Sequence, residues 1–175
     1  MTVKNRAWLA ACLVPVALSL VACGYALVGK VSNIPEDIET VYIQSFDNRT
    51  SRSQVEQIIT AAISNEMVQR QRLEVVSSSS EADSILRGAV TDLRVVSIGF
   101  DDEGRANTYE VRLTLEVEFK RVTGEVIWSR DNYSFREDYE VEVTQAAFFS
   151  TDILALEQVS DEFAKTLVTD LFEGF

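Results

Sequence analysis

Histidine is absent from this 175-residue chain, and cysteine occurs only twice, as Cys12 and Cys23. Without an imidazole there is no histidine general acid or base, no Ser-His-Asp triad and no His-ligated metal. Two cysteines cannot complete a tetrahedral Cys-rich zinc site in one chain. Basic residues are scarce as well: 16 Lys+Arg stand against 28 Asp+Glu, a net charge of −12. Sequence-independent nucleic-acid binding depends on cations that neutralise phosphates, so no nucleic-acid partner is expected. What is present is ordinary for a globular protein, with 46% hydrophobic and 25% charged residues. The length suits one domain that buries a core without disulfides or metals.

The N-terminus reads as an address. Lys4 and Arg6 precede an uncharged run from Ala7 to Ala22. A spanning helix needs roughly 20 apolar residues. This run is shorter, contains Pro15 and ends in small residues, the pattern of a secretory signal peptide. The other reading of the same stretch is an uncleaved hydrophobic anchor. Leu20-Val21-Ala22-Cys23 resembles the bacterial lipobox, in which the cysteine is acylated and becomes the new N-terminus. Stable anchoring takes more than one acyl chain, each contributing roughly 0.8 kcal/mol per buried CH₂. Cys23 is therefore the expected lipid-attachment residue, carrying palmitate-type chains. Gly24 stands where Asp would signal inner-membrane retention in such lipoproteins, so the expected location is the outer membrane, lipid-anchored on its periplasmic side. Cleavage removes Lys4, Arg6 and Cys12. The mature chain then has 14 basic and 28 acidic residues, a net charge of −14, and no free thiol.

The expected organisation is a signal peptide over 1–22, a lipidated N-terminus and tether over 23–37, and a single domain over 38–175. Within the domain, Thr40 to Phe46 reads as a strand, five of its seven residues being β-branched or aromatic. Asp47 to Ser51 is a turn cluster. Ser53 and Glu56 have capping-box spacing and open a helix over about 54–72, with Val55, Ile58, Ile59, Ala62, Ile63 and Met67 on one stripe. Leu73 to Val76 is a short apolar exit. A strand from Ile85 to about Ile98 changes alternation phase, which predicts a β-bulge near Thr91-Asp92. Tyr109 to Phe119 alternates strictly, apolar and polar, over eleven residues. A fourth strand runs from Val126 to about Phe135, residues 136–150 have no assignment, and a second amphipathic helix starts near Thr151.

The fold class is thus α+β, a two-layer sandwich with two helices on one face of a mixed four-stranded sheet, in the order β-α-β-β-β-α. The two central strands exceed the usual five or six residues. Their hairpin is expected to project beyond the helical layer, an extension a second chain could grip.

The ordered landmarks carry a family resemblance. They are Cys23 to Gly29; Val41-Tyr42-Ile43 followed by Phe46-Asp47-Asn48-Arg49-Thr50; Ala82 to Gly88; Tyr109-Glu110-Val111; and Gly124-Glu125-Val126-Ile127-Trp128. Together they resemble the LPS-assembly lipoprotein family, LptE. The resemblance implies a non-enzymatic plug and assembly factor, without a cofactor. Its implied partners are the β-barrel LPS translocon of the outer membrane (LptD-like), lipopolysaccharide itself, and the membrane through the lipidated N-terminus.

An acidic domain that handles a phosphorylated glycolipid must use local cations or bridging divalent ions. Tracing the strands as hairpins places Arg105 and Arg136 at one end of the sheet, with Lys120 and Arg121 at the other. Arg105 and Arg136 are the candidate lipopolysaccharide-binding residues, since a guanidinium matches phosphate bidentately; otherwise they are ordinary solvated charge. No catalytic or metal residue is expected. Glu116 and Glu118 alternate with core positions, as solvated charges do, and Asp101-Asp102 is turn chemistry. The alternative function is another envelope lipoprotein adaptor, a peptidoglycan-synthase activator or a secretion-pore subunit with a similar small α/β core.

Overall fold

A computed structural model describes residues 33–140 and 151–174. The chain divides into two units, Met1–Val31 and Ser32–Phe175; the described residues belong to the second. Cys23 and residues 141–150 lie outside them. The elements are β1 (Thr40–Ile43), β2 (Asp47–Asn48), α1 (Val55–Arg70), β3 (Glu74–Val76), β4 (Ser84–Phe100), β5 (Ala106–Arg121), β6 (Val126–Glu140) and α2 (Thr151–Glu173).

The α+β class and the two helices are as expected, but the four-stranded sheet is not. The sheet has six strands, in the order β3-β1-β4-β5-β6 with β2 pairing β4. The chain order is therefore β-β-α-β-β-β-β-α. The two added strands are three and two residues long, too short for a period-two pattern to show. Both run parallel to their neighbours: Val41 lies opposite Val75, and Asp47 opposite Ala89. The apolar exit after α1 is thus an edge strand, and the turn cluster contributes a strand of its own.

β4, β5 and β6 form a long antiparallel meander. The β4–β5 register slips between Val90 and Asp92, at the expected bulge. The slip keeps Leu86, Val90 and Leu93 on one face with Leu113, Leu115, Val117 and Phe119. The strict alternation of β5 becomes alternate burial from Val111 to Phe119. Both helices cover this inner face: Ile59, Ile63 and Met67 of α1 share one core with Phe163, Leu167 and Leu171 of α2. Phe163 meets Tyr133 and Phe135 of β6 edge-on, at 5.8 and 5.9 Å between ring centroids. The Tyr133 hydroxyl donates to Asp170. Burial, then that carboxylate, pushes the phenol pKa well above its ordinary value.

The expected capping box at Ser53 and Glu56 does not form. Gln54 takes the N-cap position with a left-handed backbone, φ 69°, and no side chain caps the helix. Glu56 is instead engaged by Asn48, whose amide donates to its carboxylate at 2.7 Å and to the Arg52 carbonyl. The other side of Asn48 accepts from the Thr50 N–H and hydroxyl. One side chain therefore ties Thr50, Arg52 and Glu56 together across the β2–α1 connection.

The described part of the 23–37 segment, from Asn33, packs on the domain. Ile34 is buried, the Asn33 N–H donates to the Phe172 carbonyl, and Asp37 forms a two-pronged ion pair with Arg121. Asp83 secures the adjacent start of β1. Its carboxylate accepts from the Thr40 hydroxyl and from the Glu39 and Thr40 N–H groups.

Candidate functional site

β4 changes character half-way along. From Arg94 to Ile98 every residue is exposed, so neither helix covers this stretch. Here β4, β5 and the end of β6 continue as a three-stranded ribbon, the projecting extension expected from strand length.

Register decides which charges meet on the ribbon. Arg94 lies opposite Arg112, and Arg112 opposite Arg136. Three arginines on three neighbouring strands therefore form one row on the outer, helix-free face. Strands sit about 4.8 Å apart, so the row spans roughly 10 Å. Its counter-ions are Asp92, 2.7 Å from Arg94, and Glu110, which faces both Arg112 at 3.0 Å and Arg136 at 3.5 Å. The guanidinium side chains remain 67%, 45% and 63% exposed. Exposed pairs of this kind contribute only about 0–1 kcal/mol. A phosphate, which accepts charge-assisted hydrogen bonds from several donors, can displace them.

Arg136 thus belongs to a cluster, and its expected companion Arg105 does not. Arg105 sits in the β4–β5 turn, while Arg112 is six residues along β5 from Ala106, about 20 Å away. Its guanidinium is held by Asp101 at 2.7 Å and Glu103 at 3.1 Å. The Asp101 carboxylate also accepts the Arg105 and Glu103 N–H groups, and the first of these is the main cause of its lowered pKa. Gly104, at φ 78°, closes the turn in the left-handed region that favours glycine. Lys120 and Arg121 lie at the opposite end of β5, as traced. Lys120 reaches Glu118 at 3.4 Å, and Arg121 is clasped by Asp37 and Glu125.

The carboxylates weighed as acid–base pairs face arginines. Glu116 meets Arg49 at 2.7 Å, and Glu118 meets Arg87 at 2.8 Å. Arg87, then burial opposing it, sets the lowered pKa of Glu118. These side chains, with Asp47 and Asp131, line a shallow depression of about 370 Å³ on the proximal outer face. Its four carboxylates outnumber its two arginines, so it is a poor anion site.

Sequence reasoning missed Arg94 and Arg112. Each looked like one polar position of an alternating strand, and only pairing across three strands brings them together. Several landmark residues have structural roles. A Cβ on Gly88 would lie 2.3 Å from the Glu116 carbonyl oxygen and 2.5 Å from the Phe46 ring, so only glycine fits. Trp128 is buried in the core cluster.

A mixed sheet with two helices on one face places the domain in a class with several solved bacterial proteins. A PelC dodecamer from Paraburkholderia phytofirmans is 18% identical, over 77% of this chain and 88% of that one, with a TM-score of 0.52. An uncharacterised lipoprotein B from Nitrosomonas europaea is 14% identical, over 85% and 90%, also at 0.52. A hypothetical protein from Chlamydia trachomatis is 8% identical, over 79% and 97%, again at 0.52. At these identities the likeness is one of fold. No curated protein matches the chain in sequence. The family model for LptE, lipopolysaccharide assembly, matches residues 38–173. The chain belongs to the LptE family.

Proposed function

We propose that this protein is an outer-membrane lipoprotein, acylated at Cys23, that assembles with and plugs the β-barrel LPS translocon. In that complex it assists delivery of lipopolysaccharide to the outer leaflet, and it acts by binding rather than as an enzyme. Family membership supports the assembly role. The observation that carries the lipopolysaccharide contact is the Arg94–Arg112–Arg136 row. It answers how a chain of net charge −14 can meet a phosphorylated glycolipid: three guanidiniums concentrated on one exposed face, held only by weak surface pairs.

The experiment is binding of purified lipopolysaccharide to the soluble domain lacking residues 1–23, with circular dichroism as the folding control. Hydrogen bonds to charged groups contribute roughly 1.5–3 kcal/mol. The triple variant Arg94→Gln, Arg112→Gln, Arg136→Gln should therefore bind at least about tenfold more weakly. Arg105→Gln, assayed alone, reports whether the turn contributes separately. Equal binding by the triple variant and wild type would remove the row from the site. No binding by wild type would leave only the plug and assembly role, which gentle detergent extraction and identification of a co-purifying barrel tests on its own.

A further inference from the structure

The outer face of the ribbon is ordered in rows, and the two rows that flank the arginines differ in sign. On the distal side Glu110 lies between Val96 and Asp138. On the proximal side Thr114 lies between Asp92 and Ser134. Successive rows on one face are two residues apart, about 7 Å, within reach of a long arginine stem. Arg112 and Arg136 can therefore turn either way, towards two carboxylates or towards two hydroxyls.

Both turn distally. One Glu110 carboxylate oxygen accepts a hydrogen bond from Arg112 at 3.0 Å, and the other stands 3.5 Å from Arg136. The Glu110 side chain is 20% exposed, against 41% for Asp92 beside Arg94, so its pairs are less screened by water. One carboxylate thus engages two of the three guanidiniums at once. The proximal row offers the opposite chemistry. Thr114 and Ser134 supply neighbouring hydroxyls that can donate to a phosphate. The acid of that row, Asp92, is taken up by Arg94 at 2.7 Å. A phosphate repelled by Glu110 and Asp138 is favoured on the proximal side.

We propose that Glu110 is a built-in competitor of the ligand phosphate, and that Thr114 and Ser134 complete the seat which that phosphate takes. Without ligand, Arg112 and Arg136 rest on Glu110. On loading they swing to the proximal side and share a phosphate monoester of the glycolipid with the two hydroxyls. This rests on the lipopolysaccharide reading above and names how the same site lets go. Each new phosphate contact replaces a Glu110 pair, so the net affinity stays modest. The carboxylate is also in place to recapture both guanidiniums as the glycolipid leaves. A protein that passes its ligand onward has a use for such a competitor, and one that stores its ligand has none.

The test uses the full acylated protein in mild detergent, with fluorescent lipopolysaccharide as the probe, and reads both the dissociation constant and the release rate. Circular dichroism checks that each variant folds. Glu110→Gln should bind about fivefold tighter, the upper end of what one surface pair contributes, and should release more slowly in proportion. Glu162→Gln removes the same charge from an exposed site on α2 and should change neither. Thr114→Val with Ser134→Ala should bind about fivefold more weakly. With Arg112→Gln and Arg136→Gln already in place, Glu110→Gln should gain less than about twofold, because no guanidinium remains to be freed. If wild type binds no lipopolysaccharide, or the triple arginine variant binds as wild type does, the lipopolysaccharide reading fails and the competitor with it. If the arginines matter but Glu110→Gln binds no tighter than wild type, that reading stands and the competitor fails. A gain shared by Glu162→Gln, or one that persists in full without Arg112 and Arg136, also overturns it. Equal binding by the hydroxyl variant removes the seat. Lipopolysaccharide stripped of its phosphates should show no gain with Glu110→Gln, and an equal gain there would mean that Glu110 does not compete with phosphate. Inorganic phosphate that displaced the glycolipid at equal concentration would make the seat one for the free ion.

Discussion

Replacing Phe163 by Ala tests the joint between α2 and the sheet. The side chain is fully buried, and its ring meets Tyr133 and Phe135 edge-on. A buried phenylalanine removes at least about 150 Å² from water, or about 4 kcal/mol at 25 cal/mol per Å². That figure is an upper estimate, because unfolded chains already bury some surface. Against it, the cavity left in a close-packed core adds to the loss, and measured Phe→Ala changes fall around 3–5 kcal/mol. A domain of this size has a total stability of only about 5–15 kcal/mol, so the variant should sit near the edge of folding. Urea unfolding of the soluble domain, followed by circular dichroism, should show a large drop in midpoint at an unchanged slope. Phe163→Leu should cost clearly less. A double-mutant cycle with Tyr133→Leu should recover about 0.5–1.5 kcal/mol of coupling for the ring pair. A loss below about 1 kcal/mol for Phe163→Ala would mean that α2 does not seat on β6 as described.

Leu115→Ala should cost roughly 2–5 kcal/mol and Glu116→Ala at most about 1, because the first is fully buried and the second is half-exposed in a surface pair with Arg49; equal urea midpoints for the two would refute the phase of β5. The Asp83 carboxyl is held below its ordinary value of 3.8, first by the Thr40 hydroxyl and then by the Glu39 and Thr40 N–H groups. A depressed carboxylate stabilises above its unfolded pKa and loses that contribution as pH falls through the folded value. The advantage of wild type over Asp83→Asn should thus be full near pH 6 and shrink below about pH 4, and a gap that widens on acidification would reverse the assignment. Cys23→Ala should block acylation and release the protein from the membrane fraction; flotation with outer membranes in the absence of a partner would contradict the lipobox.

Elements whose pattern is local and long were legible from the order of residues alone. β5 alternates over eleven residues, and the expected stripe of α2, from Leu156 through Phe163 to Leu171, is buried throughout. Even the β4 bulge was readable, because Leu86 and Leu93 differ in parity yet must share a face. The failures have physical causes. β2 and β3 are too short to carry a period, and they exist because parallel neighbours hold them. Ser53 and Glu56 have the right spacing for a capping box, but Asn48 competes successfully for Glu56. The arginine row lay furthest from reach. Arg94, Arg112 and Arg136 are 18 and 24 residues apart, and their alignment depends on bulges in both β4 and β6.

The irregularity at Thr91 also governs how such a ribbon can change length over evolutionary time. In a regular strand, gaining or losing one residue turns every later side chain over. Were β4 to run straight past Val90, Arg94 would point into the layer now occupied by Leu93, and Val95 would take its place among the arginines. Because one surplus residue is parked at the bulge, the strand already contains a place where a single insertion or deletion is absorbed without inverting what lies beyond. Elsewhere along the meander, relatives can lengthen or shorten the projection only in steps of two, matched on the facing strand. Its reach is therefore quantised in increments of about 7 Å, whereas its polarity is preserved.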